Sequence, residues 1–177
     1  MRIISGKYRG RAIVPPKNLK ARPTTDFAKE NLFNVLNNLV DYEECDVLDL
    51  FSGTGSISYE FASRGAKSVT SVEVNGVHHA FIKETARKLG CENFYAVHAN
   101  AFLYLKNTAK RFDIIFADAP YDLEGSEQIV GLVFDGERLN DEGLLIFEHS
   151  SKFDFSQHPN FWQTRTYGSV NFSFFRR

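Results

Sequence analysis

The chain has 177 residues, of which 43% are hydrophobic and 24% charged, with 21 Lys and Arg against 22 Asp and Glu. This length and composition predict one globular domain and exclude a disordered or collagen-like chain. No window holds the run of about 18 apolar residues that a membrane span needs, and polar residues interrupt the first segment, so we expect a cytoplasmic protein with no membrane partner. Cys45 and Cys91 lack paired spacing and predict neither a disulfide nor a zinc site.

Positive charge is concentrated before Asp26, the first acidic residue. The cations there are Arg2, Lys7, Arg9, Arg11, Lys17, Lys20 and Arg22. MRIIS, GKYRG and RAIVP are typical of two short strands around a glycine-bounded turn, so we predict a hairpin that presents cations to nucleic acid. The chain is thereby divided into a basic extension, 1–25, and a main domain, 26–177. A solvated face or a flexible linker is the alternative, above all for Lys17, Lys20 and Arg22.

The main domain alternates short apolar runs with helical patterns. The sequence TTD at 24–26 predicts a helix N-cap, and apolar spacing continues that helix to about Val40. The strands are predicted at 47–51, 68–74, 94–99, 112–117 and 143–149, and the further helices at 56–63, 77–89, 101–108 and 126–134. This alternation predicts an α/β fold with a doubly wound, mostly parallel sheet that binds ligands at the strand carboxyl ends. The aromatic segment 162–175 predicts a final antiparallel hairpin.

A glycine loop follows the first predicted strand, in the sequence Asp49-Leu-Phe-Ser-Gly53-Thr-Gly55. The two glycines allow a tight turn beside a ligand. Ser58 stands where a dinucleotide-binding fingerprint has its third glycine, which argues against a dehydrogenase. Glu73, at the end of the second strand, is placed to accept hydrogen bonds from both hydroxyls of a ribose, with a solvated strand-end charge as the alternative.

Asp118-Ala119-Pro120-Tyr121 ends the fourth predicted strand. An exocyclic amine of a nucleobase is a poor nucleophile because its lone pair is delocalised into the ring. If the Asp118 side chain and the Ala119 carbonyl each accept one N–H, the lone pair is directed at an incoming methyl group. Tyr121 would stack on the base, and Pro120 keeps the preceding backbone extended. An ordinary strand-to-turn junction is the alternative.

These motifs closely resemble the bacterial methyltransferases that modify the exocyclic N2 of a guanine in small-subunit (16S) ribosomal RNA with S-adenosylmethionine. The resemblance covers RIISGKYRGR, RPTTDFAKENLFNVL, VLDLFSGTGSIS, SRGA and FDIIFADAPY, and RPTTD with the following LFN helix is its specific part. It implies a class I, Rossmann-like methyltransferase fold whose basic extension holds rRNA or the small ribosomal subunit.

The resemblance also assigns roles by motif position. It places Asp49, Gly53 and Gly55 at the methionine part of the cofactor, Glu73 at the ribose, Asn100 at the adenine, and Asp118, Ala119, Pro120 and Tyr121 at the target base. Phe51 and Ala101 are assigned to the cofactor site with them, although a position in the strand also makes Phe51 a core candidate. The residues assigned to RNA are Arg2, Lys7, Arg9, Arg11 and Arg22.

Three residues depart from the family pattern. Ala119 replaces the first proline of the usual DPPY, which keeps the carbonyl but reduces rigidity. Asn100 stands where an Asp commonly accepts the adenine amino group, so its acceptor is uncharged. Thr85 stands where relatives often have Asn. We expect slower transfer and weaker cofactor binding, and a slow, retargeted or inactive relative stays an alternative.

Two other functions fit the same motifs. A DNA amino-methyltransferase uses the same chemistry, but it needs a target-recognition region that 177 residues scarcely accommodate. A non-catalytic rRNA-binding assembly factor would keep the fold as a scaffold and turn over no S-adenosylmethionine. The five histidines show no ligand spacing and predict no metal site. A monomer is the default expectation for one domain of this size.

Overall fold

The structure, a computed structural model, describes residues 1–19 and 24–177. The strands are β1 Asp46–Leu50, β2 Ser68–Glu73, β3 Phe94–His98, β4 Phe112–Asp118, β5 Leu139–His149, β6 Phe161–Tyr167 and β7 Val170–Arg176. The helices are α1 Asp26–Leu36, α2 Ser56–Ser63, α3 Gly76–Leu89, α4 Ala101–Asn107 and α5 Gln128–Asp135. The strands form one sheet in the order β3-β2-β1-β4-β5-β7-β6. Strands β1 to β5 are parallel, and β7 is antiparallel to both its neighbours.

Helices cover both faces of the sheet, as the apolar strands predicted. One face packs on α1 and α2 through side chains such as Leu32 and Phe61. The opposite face packs on α4 and α5 through side chains such as Leu105 and Ile129. Because both faces are covered, the central strands carry continuous apolar runs instead of alternating ones. The predicted final hairpin is confirmed as β6 and β7, which turn at Gly168 with a φ of 63°.

Some element boundaries differ from the predicted ones. Helix α1 ends at Leu36 instead of Val40. The Asn37 N–H donates to the Phe33 carbonyl, and the Asn38 N–H donates to the Val35 carbonyl only three residues back, so the chain turns here. Asparagine side chains compete with helical hydrogen bonds, which explains an end at this point. Helix α5 begins at Gln128, after a turn held by the bond from its N–H to the Gly125 carbonyl.

The amino-terminal segment doubles back as predicted, but it forms a single antiparallel bridge, between Arg2 and Ala12, instead of two extended strands. The turn between them docks on α2. A Cβ on Gly6, whose φ is +85°, would lie 1.9 Å from the Ser63 carbonyl oxygen. The Lys7 N–H of this turn donates to the Ser63 carbonyl at 2.7 Å, while backbone bonds such as that from the Ile3 N–H to the Arg11 carbonyl, at 3.1 Å, join the two arms. In the part of the chain that the structure describes, no helix combines the length and the apolar character needed to cross a membrane.

Candidate active site

Four acidic side chains stand near the carboxyl edge of the parallel sheet, one on each of β1, β2, β4 and β5. They are Asp49, Glu73, Asp118 and Glu148. Asp118 and Glu148 are direct register partners, and Asp49 and Glu73 share their face by the two-residue alternation of the paired strands. This edge is where doubly wound sheets bind their ligands.

Two adjacent cavities open at this edge, with volumes of about 420 Å³ and about 40 Å³. The larger volume lies within the range of roughly 300–1,000 Å³ typical of ligand sites. Its wall includes Gly53 and Glu73, both predicted for the cofactor, and the whole predicted base site, 118–121. Asp49 lines the smaller cavity, which shares Gly53 and Asp118 with the larger one. The structure thus brings the two predicted half-sites together.

The glycine loop makes a tight turn through left-handed backbone. The φ angles are 59° at Phe51, 57° at Gly53 and 88° at Gly55. A Cβ on Gly55 would lie 2.6 Å from the ring of Tyr59, so both the backbone angle and the space require glycine. The Ser52 hydroxyl holds the loop to the strands by donating to the Asp49 carbonyl at 2.8 Å.

Glu73 is tied to the same loop. Its Oε2 accepts the Gly53 N–H at 2.8 Å, and its Oε1 accepts the Asn75 N–H at 2.8 Å. The side chain is only 8% exposed. A carboxylate has about four acceptor positions, so each oxygen retains capacity for a ribose hydroxyl. The link from Glu73 to Gly53 connects the ends of β1 and β2, and no sequence pattern indicated it.

Asp49 is buried beneath the loop, and its Oδ2 accepts the Ser58 hydroxyl at 2.5 Å. Burial raises the pKa of Asp49 to about 7, against the opposing effect of the hydrogen bond from Ser58, and the nearby Glu73 carboxylate raises it further. Ser58 therefore positions the Asp49 side chain, which lines the smaller cavity. A glycine at position 58 could not supply this hydroxyl.

Phe51 lies in the loop, not in β1, where its half-buried ring lines both cavities and packs edge-on against Phe102. Asn100 and Ala101 lie at the start of α4, and neither is among the residues that line these two cavities. Asn100 Oδ1 caps the helix by accepting the N–H groups of Phe102 and Leu103 at 2.9 and 3.2 Å. The amide oxygen predicted to accept from the adenine is thus engaged in the cap, and the assignment to the adenine stays a prediction.

The predicted base site begins at Asp118, the last residue of β4. Ala119 is buried, whereas Tyr121 is 38% exposed, so its ring is accessible for stacking. The Pro120 carbonyl accepts the Leu123 N–H at 2.9 Å, which closes a turn directly after the motif. Thr85, the third departure, lies near the buried Tyr59, whose pKa is raised by burial and whose hydroxyl has no hydrogen-bond partner among the described residues.

A buried ion pair that sequence reasoning missed anchors the basic extension. Glu60 is 0% exposed and accepts the N–H groups of Ile4 and Ser5 at 2.9 and 3.0 Å. Lys29 Nζ, 3.8 Å from Glu60, donates to the Arg2 carbonyl at 2.7 Å. Burial lowers the pKa of Lys29, and Glu60 opposes this shift. The sequence did contain a signal for this pair: Lys29 on α1 and Glu60 on α2 each occupy a core-facing position of their helix. Because buried charges require partners, two such residues indicate an ion pair.

In its described part, the extension exposes its cations and buries three apolar side chains on the main domain. Tyr8 is buried together with Ile3 and Ile13, and its hydroxyl donates to the Gly90 carbonyl at 3.3 Å. The described cations assigned to RNA are exposed: Arg2, Lys7, Arg9 and Arg11. Arg22 lies outside the described residues. Within residues 1–19 and 24–177, no group of three or more His, Cys, Asp or Glu is arranged to hold a metal ion.

Sequence comparison places the chain among known proteins. The family model described as Conserved hypothetical protein 95 matches residues 1–176. A protein of Buchnera aphidicola subsp. Baizongia pistaciae, named ribosomal RNA small subunit methyltransferase D, is 34% identical over 166 residues, 92% of this chain and 83% of the relative. Its namesake from Escherichia coli K12 is 32% identical over 181 residues, 100% of this chain and 90% of the relative.

Solved structures share the architecture. The structure of yhhF from Escherichia coli has a TM-score of 0.88 and 29% identity, and the match covers 100% of this chain and 97% of that one. The Thermus thermophilus 16S rRNA N2 G1207 methyltransferase RsmC, in complex with AdoMet and guanosine, has a TM-score of 0.71 and 21% identity over 89% of this chain and 45% of that one. The sheet order and these likenesses confirm the predicted class I, Rossmann-like methyltransferase fold.

Proposed function

This chain belongs to the ribosomal RNA small subunit methyltransferase D family, and we propose that it methylates the exocyclic N2 amine of a guanine in 16S ribosomal RNA with S-adenosylmethionine. One observation carries the proposal: Gly53, Glu73 and the motif 118–121 line a single cavity. A methyl donor held by the first two strand ends would therefore lie beside a base held by the fourth.

The chemistry of the side chains fits the cofactor. Glu73 retains acceptor positions for the ribose hydroxyls, and the buried Asp49 supplies an anion near the methionine part, whose amino group is a cation. The glycine at position 55 gives the loop its tight turn, which a side chain would block. When bound, S-adenosylmethionine supplies an electrophilic methyl group on its sulfonium.

The residues of the fourth strand end would activate the amine. The Asp118 carboxylate and the Ala119 carbonyl accept the two N2–H groups, which directs the nitrogen lone pair at the methyl carbon. The N–C bond forms as the C–S bond breaks, and the charged amine then loses a proton, for which Asp118 is the adjacent acceptor. Tyr121 stacks on the flipped guanine, and Pro120 fixes the carbonyl before it.

The extension 1–25 would hold the ribosomal RNA or the small subunit. Its exposed cations neutralise phosphates, which positions the RNA without reading its sequence. The contacts of Glu60 and Ser63 with the backbone of the extension fix these cations relative to the methyl-transfer site. The substrate implies a cytoplasmic location, and one copy of the chain suffices for all the assigned residues.

The test is transfer of labelled methyl from S-adenosylmethionine to small subunits from cells that lack the modification. We expect label in N2-methylguanosine with the wild-type protein and at least about a 100-fold loss with Asp118→Ala, whose cofactor affinity stays near wild type. Asp135→Ala, at the exposed end of α5, is the matched control and should keep full activity. Loss of cofactor binding together with transfer would contradict the role of Asp118. No label from protein that binds both cofactor and rRNA would favour a non-catalytic assembly factor.

A further inference from the structure

Glu148 belongs to the same cavity and has no part in the proposed transfer step. It lies one residue before the end of β5 and is the register partner of Asp118 on β4. Neighbouring strands are about 4.8 Å apart, and register partners point to the same face. Both side chains line the larger cavity. A second carboxyl group therefore stands beside the one assigned to the amine.

The carboxyl group of Glu148 is held in place at this position. The side chain is 5% exposed, and its Oε2 accepts a hydrogen bond from the Thr24 hydroxyl at 3.3 Å. Glutamate is rarely buried to this extent without a specific reason, because its desolvation is costly. A carboxylate has about four acceptor positions, so Glu148 can accept from a ligand as well as from its partners in the protein. Thr24 also lines the cavity, so the fixed carboxylate belongs to its wall.

Two adjacent carboxylates match one nucleobase edge. On its Watson–Crick edge, guanine carries the N2 amine next to the N1–H, so two donors stand side by side. Adenine and cytosine each carry an amine next to a ring nitrogen that is an acceptor. A carboxylate accepts hydrogen bonds and cannot donate one, so it attracts N1–H and repels an unprotonated ring nitrogen. Sites built on buried polar groups discriminate strongly, since the wrong base leaves such a group unpaired.

We propose that Glu148 selects guanine by accepting its N1–H while Asp118 accepts from the N2 amine. This inference rests on the proposed function and names the residue that gives it its base specificity. Thr24 is then a positioning residue, because its hydroxyl orients the Glu148 carboxylate. Asp118 alone would accept from any exocyclic amine, whereas the pair distinguishes guanine from the other two amino bases.

The experiment compares two target bases that share the 2-amine. After digestion has identified the methylated nucleotide, small-subunit rRNA is ligated with either guanosine or 2,6-diaminopurine at that position, the latter having an unprotonated N1. We expect wild-type kcat/KM to favour guanosine by on the order of 100-fold. Glu148→Gln can donate its amide N–H to the unprotonated N1, so this preference should fall to within about tenfold of equality. Cofactor affinity should stay unchanged.

Two controls separate recognition from a structural role. Thr24→Val removes the hydroxyl that orients Glu148 but keeps the carboxylate, so transfer slows while the preference for guanosine persists. Glu142→Gln makes the same chemical change at an exposed residue of β5 and should alter neither quantity. An unchanged preference in Glu148→Gln, with wild-type transfer to guanosine intact, overturns this inference alone. Absence of wild-type transfer to guanosine overturns the proposed function together with it.

Discussion

The buried anchor of the basic extension allows a quantitative test by Glu60→Ala. Glu60 is the anion nearest the 1%-exposed Lys29 ammonium, and it accepts two N–H groups from the extension and pairs with Arg64 at 2.9 Å. Removal of one partner of a buried pair costs about 3–5 kcal/mol, because the remaining charge has no counter-ion. At this chain length such a loss lowers the Tm by roughly 6–20 °C.

The assays are urea unfolding and hydrogen exchange. The free energy of unfolding should drop by the stated amount, and the amides of Ile4 and Ser5, which donate to Glu60, should exchange faster than those of β4. Glu60→Gln keeps one acceptor oxygen, so its loss should be smaller. Glu84→Ala, which removes a solvent-exposed ion pair on α3, should have no measurable effect. Stability within about 1 kcal/mol of wild type, with both amides still protected, would refute the assignment of Glu60 as the anchor.

Three further predictions follow from the site and the extension. Gly55→Ala should weaken cofactor binding at least tenfold in calorimetry, because its Cβ would collide with the Tyr59 ring and distort the loop. Gly10→Ala is the comparison: its φ of +80° is similar but the space around it is open, so it should cost only about 1–2 kcal/mol of stability. Cofactor affinity should fall as the pH drops below about 7, the raised pKa of Asp49, since the protonated acid cannot pair with an ammonium group; Asp49→Asn should abolish this pH dependence. RNA affinity should drop about 50-fold between 50 and 200 mM salt if the four described cations each neutralise one phosphate, and Arg9→Ala should reduce the salt slope by about 0.7. A flat salt response would exclude the phosphate contacts.

The sequence predicted the elements that follow from local pattern. Continuous apolar runs identified the parallel strands, and the glycine loop and the motif at 118–121 fell at strand ends because these residues cannot continue a buried strand. Asn100 shows where local pattern stops short. An asparagine before a helix is both a common N-cap and a candidate adenine ligand, and only the backbone geometry reveals that its Oδ1 accepts from Phe102 and Leu103.

Contacts between distant parts of the chain could not be predicted from the sequence pattern. Lys29 and Glu60 occupy core-facing positions of two helices, but their pairing depends on how α1, α2 and the extension pack. In the sequence, Ser58 only argued against a dehydrogenase, because it stands in place of a glycine. In the structure, its hydroxyl donates a hydrogen bond to Asp49. In each case the partner lies at least nine residues away, so no helix or strand period connects the two side chains.

Glu148 shows why base selection depends on sheet register. The pairing of β4 with β5 shifts between Phe112 and Ile114, and only beyond that irregularity does Asp118 face Glu148. A shift of one residue would turn Glu148 to the opposite face, since side chains alternate along a strand. The irregularity is invisible in the apolar pattern of GLLIFEH, which fits either register. The second carboxylate at the base site is therefore a property of the assembled sheet, and the diaminopurine comparison tests that register through the chemistry it produces.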